Sequence, residues 1–341
     1  MITGFENPQY VIIELTSRCN LKCYMCIGHY GREYGADMDE TIFQKVLDML
    51  SAETKFIELG GIGEPLYTPN IVNKLERIRQ KAPRAVIKMY SNGLLLQNAD
   101  FAEKITNIVD VLHISVNGVK AYKKVMQPHH FRDLEKSLQV LATLREKNSR
   151  PKILDLGFIV MKKNMKDIYS FAQLAEKYNA DGVFYKRLWI TRSDLAREDI
   201  HADQRSLERV KADLIRARRY VEENGLEFSA VEVIPEPYFY LVKNESELLR
   251  GSPYELLRIE HMPCTSPWTT IQVAQCGKAI VCCNGNSEIG HFAQAKSFLE
   301  VWGSVEAQAY RQGLETGKPY GACAHCKLLY PDNAQSYVRN E

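Results

Sequence analysis

The chemistry that this sequence offers lies in its cysteines, nine in number and unevenly distributed. Three stand close together in Thr16-Ser17-Arg18-Cys19-Asn20-Leu21-Lys22-Cys23-Tyr24-Met25-Cys26. The other six, Cys264, Cys276, Cys282, Cys283, Cys323 and Cys326, all follow residue 263. In a reducing compartment, metal binding or catalysis explains such residues better than a disulfide framework does. The wide gap between the groups predicts two separate sites. The CxxxCxxC spacing supplies three thiolates, one fewer than a [4Fe–4S] cube takes, so one iron would remain open to an exogenous ligand. A zinc site completed by His29 is the alternative reading of the same residues.

The elements that must position these cysteines alternate in type. Strand-like YVIIEL (residues 10–15), KFIEL (55–59), VIKMY (86–90), VLHISV (111–116), ILDLGFIV (153–160) and GVFYK (182–186) are separated by helical stripes. Examples are Phe43, Val46, Leu47 and Leu50, or Ile168, Phe171, Ala175 and Tyr178. Six βα repeats predict a parallel sheet with right-handed crossovers, a partial (β/α)6 TIM-like barrel. Chemistry in such barrels sits in the loops at the carboxyl ends of the strands, where the first three cysteines fall. A charged helix is expected at about 203–223, with Gly225 as its C-cap. FSAVEVI (228–234) reads as a further strand or a connector. The expected organisation is a barrel core over 1–235, a linker over 236–262 and a small cysteine-rich domain over 263–341.

Bulk properties narrow the partners. A length of 341 residues suits a sizeable α/β core plus a small module. A net charge of +2 gives no reason to expect nucleic acid. No apolar run is long enough to span a bilayer, and the N-terminus lacks a signal-peptide pattern. A cytoplasmic enzyme without a membrane partner is the expectation.

The cysteine triad in the loop after the first strand resembles that of the radical S-adenosylmethionine (radical SAM) superfamily. Other segments match at the strand ends. Gly60-Gly61-Ile62-Gly63-Glu64-Pro65 is similar to the family's glycine-rich element, which holds the methionyl ammonium. Asn92, Ser115 and Asn117 fall where polar groups meet the ribose and carboxylate. Met25 stands where many relatives carry an aromatic residue near the adenine, a departure that packing by a thioether accommodates. The resemblance implies Gly60, Gly61, Gly63, Glu64, Asn92, Ser115, Asn117 and Met25 as cofactor contacts. It also implies a 5′-deoxyadenosyl radical that takes a hydrogen atom from a substrate carbon, and an electron donor such as flavodoxin or ferredoxin. The later pattern, Cys264, then Gly277 followed by Cys282, then Cys323-Ala324-His325-Cys326, resembles the SPASM and twitch auxiliary-cluster domains. With no further cysteines after it, the shorter twitch type fits, and Cys264, Cys282, Cys323 and Cys326 are implied as ligands of a second [4Fe–4S] cluster. Tetrahedral zinc is the alternative there.

Substrate and outcome stay open between readings. The first strand begins near residue 10, leaving no space before it for a leader-binding module. A sugar or aminocyclitol, oxidised at an alcohol with the auxiliary cluster as electron acceptor, is therefore expected ahead of a peptide. An epimerase with Cys283 as hydrogen-atom donor and a peptide-crosslinking maturase are the enzymatic alternatives, and a zinc-binding interaction module is the non-enzymatic one. Tyr185, Lys186, Arg187, Trp189 and Arg192 are expected to face the substrate after the sixth strand, with His129 and His130 as candidate bases. Cys276 is read as a small buried residue.

Overall fold

In the computed structural model the described residues are 7–27, 35–127, 131–230, 233, 264–282 and 287–326. His29, His129, His130, Cys283 and the expected linker over 236–262 lie outside them.

One sheet of ten strands organises the molecule, in the order β10-β9-β8-β1-β2-β3-β4-β5-β6-β7. All six expected strands are present: β1 Tyr10–Ile13, β2 Phe56–Leu59, β3 Val86–Ser91, β4 Val111–Ser115, β5 Ile153–Val160 and β6 Gly182–Arg187. A short β7, Glu227–Ser229, adds in parallel to β6, so the segment read as strand or connector begins as a strand. The crossover helices include α1 Glu40–Met49, α2 Ile71–Lys81, α3 Ala99–Ile108, the short α4 Tyr122–Val125, α5 Phe131–Asn148, α6 Ile168–Lys177 and α7 Gln204–Glu223. This is the partial barrel with its helical cover.

Two residue sets divide the strands by their period of two. Val11, Ile13, Ile57, Leu59, Ile87, Met89, Leu112, Ile114, Leu154, Leu156 and Val183 belong to the main apolar core, buried against the helices. Tyr10, Ile12 and Phe56 form a separate small cluster with Val86 on the opposite, concave face. Above that plug the concave face is polar, as described below.

The C-terminal part is joined to the barrel through the sheet itself. β8, Thr270–Val273, runs parallel to β1 with all four residues in register. β9 Lys278–Ile280 and β10 Glu288–His291 then return as antiparallel strands. Gly277 turns the β8–β9 hairpin at φ +94°, a conformation that glycine adopts without strain. Helices α8 Phe298–Trp302 and α9 Val305–Glu315 cover this hairpin. Lys45 of α1 donates to the carbonyls of Phe292 (2.8 Å) and Ala295 (2.7 Å), fixing the C-terminal part against the barrel's outer layer.

Candidate active site

The loop after β1 carries the first thiol set. Its entrance is tied down by Ser17, whose hydroxyl accepts the N–H groups of Gly35 and Ala36 at 3.1 Å each. Arg18 pairs with Asp37 at 2.8 Å. Leu21 and Met25 are buried in the main core, so the loop is anchored through alternate apolar side chains while the cysteines between them stay half-buried. The backbone runs alongside residues 125–127: the Lys22 N–H donates to Gln127 O (2.6 Å) and the Tyr24 N–H to Val125 O (2.8 Å). The Cys23 Sγ lies 3.6 Å from the Met126 Sδ.

Burial pushes the Cys19 thiol up to about 11, with the Glu64 and Cys26 charges adding to it. Burial pushes Cys23 further up still, and both Cys26 and Cys19 reinforce that shift. Cys19 and Cys23 each feel the charge of other thiols of the triad. As bare thiols they would stay protonated at neutral pH; cationic iron supplies the positive charge that burial withholds and draws off the proton. Three thiolates are the donor chemistry a cluster with one open iron would take, while among the described residues no group of three or more His, Cys, Asp or Glu is arranged to hold a metal ion.

Beside this loop stands the glycine turn after β2. A Cβ on Gly63 would lie 2.1 Å from the carbonyl oxygen of Thr16, so only glycine lets the turn rest against the cysteine loop. Gly61 adopts φ +139°, and a Cβ there would meet the Glu14 carboxylate at 2.7 Å. Gly60 sits where a Cβ would be 3.4 Å from the Tyr90 ring, ordinary contact. Asn92, at the end of β3, donates to Asn20 Oδ1 (2.7 Å) and lies 3.8 Å from the Cys19 Sγ. Ser115 is half-buried at the end of β4.

Two residues expected to touch cofactor also tie the strand ends together. Glu64 is buried, and its carboxylate accepts from the Asn92 N–H (2.7 Å), the Ser91 hydroxyl (2.7 Å) and the Leu66 N–H (3.1 Å). It braces the β2 turn against the β3 turn. Complete burial raises its pKa to about 7 against the lowering effect of those three bonds. Asn117, at φ +53°, accepts the Ile159 N–H (2.7 Å), while its Nδ2 lies 3.3 Å from the Met126 Sδ. It binds the end of β4 to β5.

Of the residues expected to face substrate, Tyr185 does not. It is fully buried on the helix side against Phe158, Phe171 and Phe228, and its hydroxyl donates to Ile168 O. The strand's alternation turns its neighbours Phe184 and Lys186 inward instead. Arg187 faces Asp199 at 3.5 Å. Trp189 is 61% exposed on the rim. Arg192 reaches back to the cysteine loop, donating to the carbonyls of Tyr24 (3.0 Å) and Cys26 (3.5 Å), with Asp194 fixing its guanidinium.

Sequence reasoning missed the barrel interior. On the concave face Tyr10 donates to Glu58. The Lys88 ammonium lies 5.2 Å from the Tyr90 ring centre, and that of Lys186 lies 5.0 Å from the same ring. His113 packs between Tyr90 (4.7 Å) and Phe184 (5.4 Å), with buried Asp155 beside it in register. Gly157 leaves room for the imidazole, since a Cβ there would sit 2.2 Å from its Nε2. Burial, and then the Lys186 and Lys88 charges, hold His113 well below the usual histidine range, so it is neutral. The signal was present: Lys88, His113 and Asp155 interrupt strands that are otherwise apolar, spaced two residues from Tyr90, Ser115 and Gly157.

The cysteines expected at the second site are Cys264, Cys282, Cys323 and Cys326. Burial raises the Cys264 thiol, with the Cys282 and Cys326 charges adding to it. Burial pushes Cys323 to about 12, helped by Cys264, Cys282 and Cys326. The Ser266 N–H lies 3.4 Å from the Cys264 Sγ, and Ser287 brackets Cys282 through its N–H and carbonyl. Cys323 and Cys326 lie on one tight turn, joined by the Cys326 N–H to Cys323 O bond. A tetrathiolate set fits a closed cluster with no open iron. Cys276 stands in the β8–β9 turn, half-buried, and does not figure in this mutual interaction. Because Cys264 precedes β8 and Cys282 follows antiparallel β9, this site lies at the amino end of β8. The first site lies at the carboxyl end of the adjacent β1.

Comparison with known proteins agrees with this geometry. The radical SAM superfamily model matches residues 13–175, and that of the SPASM iron–sulfur cluster-binding domain matches residues 264–327. The tungsten-containing aldehyde ferredoxin oxidoreductase cofactor-modifying protein of Pyrococcus furiosus is 26% identical over 53% of this chain, which spans only 51% of that relative. The Fe-coproporphyrin III synthase of Methanosarcina barkeri is 24% identical over 98% of this chain and 85% of its own length. The fold is that of Streptococcus suis SuiB, solved with S-adenosylmethionine: TM-score 0.62, 14% identity, covering 95% of this chain and 72% of SuiB.

Proposed function

Because the chain belongs to the radical S-adenosylmethionine superfamily and carries that family's SPASM iron–sulfur domain, we propose that it oxidises a polar, hydroxyl-bearing small molecule held in the barrel lumen, with the auxiliary cluster taking the electron. When bound, the first cluster and its S-adenosylmethionine supply a carbon radical that abstracts hydrogen from an unactivated position. The chain's own residues do the rest. Cys19, Cys23 and Cys26 would hold that cluster, leaving one iron for the cofactor. The Gly60–Gly63 turn offers its backbone, and Asn92 fixes the loop beside Cys19. Cys264, Cys282, Cys323 and Cys326 would hold the second cluster.

The single observation carrying this reading is the concave face. It carries Glu58, Tyr90 and Lys186, groups able to hydrogen-bond hydroxyls, together with Lys88, His113 and Asp155, which are buried, between the two proposed thiol sites. A sugar or aminocyclitol suits that lining better than an apolar substrate does. Trp189 and Ile190, both exposed on the rim, supply an apolar edge at the entrance.

The test is a screen of carbon-deuterated sugars, aminocyclitols and peptides against the reduced holoenzyme. Deuterium appearing in 5′-deoxyadenosine with a sugar or cyclitol, together with a carbonyl product, supports the reading. Deuterium transfer from a peptide alone would reject it. Solvent deuterium retained in the product would instead favour epimerisation, with Cys283 as the hydrogen donor.

A further inference from the structure

Helix α9 places a tyrosine hydroxyl at the turn that carries the last two cysteines. Tyr310 lies on the buried stripe of that helix with Ala307, Gly313 and Leu314, and only 3% of it is exposed. Its ring meets the Tyr320 ring edge-on, centres 5.1 Å apart, which limits how it can turn. The hydroxyl ends at the start of the Gly321–His325 turn. Gly321 adopts φ +53°, and a Cβ there would lie 2.6 Å from the Tyr310 oxygen, so the chain does without a side chain where the hydroxyl enters. The next residue, Ala322, donates its N–H to that oxygen. Cys323 follows directly, its own N–H held by Tyr320 O at 3.1 Å.

Packing alone does not call for this oxygen. A phenylalanine would fill the same space, and a buried hydroxyl costs free energy unless it is hydrogen-bonded. The Ala322 N–H uses the oxygen as an acceptor, and the O–H is a donor in its own right. Burial, and then the charges of Cys323, Tyr320 and Cys282, hold the phenol above the ordinary tyrosine range against the lowering effect of the Ala322 bond, so it keeps its proton. The hydroxyl thus stands between the 323–326 turn and the end of β9, where Cys282 lies. We propose that Tyr310 sets the redox poise of the second cluster, its hydroxyl donating to sulfur on the Cys323 and Cys282 side. A hydrogen bond to cluster sulfur strengthens when the cluster takes on the negative charge of an added electron. It therefore favours the reduced form and raises the potential, which makes a closed cluster a better electron acceptor. The inference rests on Cys264, Cys282, Cys323 and Cys326 holding a cluster and stands apart from the choice of substrate.

The experiment is a redox titration of the reconstituted holoenzyme followed by electron paramagnetic resonance, wild type against Tyr310→Phe, with iron counted in each. Both should hold about eight irons per chain. The variant's second cluster should titrate lower by about 59 mV, a tenfold shift for one electron, while the first cluster stays where it was. After exchange into deuterium oxide, electron–nuclear double resonance of the reduced second cluster should show one coupled deuteron fewer in the variant. An unmoved second potential in a variant with full iron would overturn the proposal, and so would an equal shift at both clusters. About four irons in the wild type itself would overturn the second cluster on which the proposal rests. Should Tyr310→Phe lose iron, 3-fluorotyrosine at position 310 carries the comparison. It keeps the hydroxyl, strengthens it as a donor and should move the second potential upward; a potential that does not rise would overturn the proposal as well.

Discussion

The two thiol sites are built differently. The first is a loop with three cysteines, pressed between a glycine turn, Asn92, Met126 and Arg192, so that neighbouring elements hold it from several sides. The second, proposed to be closed by four cysteines, has only short local ties: Ser266 to Cys264, Ser287 to Cys282, and a single tight turn for the last pair. An open, three-ligand site must keep one coordination position for a substrate-like cofactor, and the surrounding protein must supply the rigidity that a fourth ligand would give. A closed site is rigid by coordination alone. The comparison teaches that changes outside the cysteines should damage the first site far more than the second.

Glycines give the sharpest contrast. Gly63→Ala would drive a Cβ into the Thr16 carbonyl at 2.1 Å, backbone against backbone. It should cost about 3 kcal/mol or more and prevent iron uptake at the first site, seen by thermal melting and iron analysis. In the C-terminal part, away from the second site, Gly277→Ala meets the flexible tip of Ile42 at 3.0 Å and the Ala293 backbone nitrogen at 3.1 Å, at φ +94°. There the cost should be about 1–2 kcal/mol, with auxiliary iron retained. Arg192→Gln comes next. Losing two charge-assisted bonds to the Tyr24 and Cys26 carbonyls should raise the chelator-driven loss of first-site iron about tenfold while sparing the second cluster. Arg192→Lys should recover part of that protection.

The smallest effect is a pH slope. Burial lifts Glu64 to about 7 from its ordinary 4.5, so the folded chain keeps a proton that the unfolded chain has lost. Stability from this group is full below 4.5 and falls as pH rises through about 7. Urea midpoints of the cluster-free protein should show that fall in the wild type and lack it in Glu64→Gln. An identical slope in both would remove Glu64 as its source.

Much of this was legible in the sequence where neighbours in the chain are neighbours in space. The CxxxCxxC loop, the glycine turn and the strand order needed only local spacing. The proposed tetrathiolate set rests on the grouping of the cysteines alone, since none lies between Cys26 and Cys264. What was hidden depends on which face of a strand a residue takes. Tyr185 was expected to meet substrate, yet its phase sends it to the helix side, where its large ring completes an aromatic cluster. Lys88, His113 and Asp155 converge only after three separate strands align, a non-local event that composition does not announce. The bonds by which Glu64 and Asn117 tie neighbouring strand ends together are also non-local and not visible in a motif.

The division of labour between the sites is tested most directly by Cys323→Ala in the reduced, reconstituted holoenzyme, with methionine and 5′-deoxyadenosine quantified alongside iron. The account predicts that iron falls from about eight to about four per chain. Cofactor cleavage should continue while substrate oxidation stops. Cleavage lost together with the auxiliary iron, or stoichiometric zinc in place of iron at either site, would contradict it.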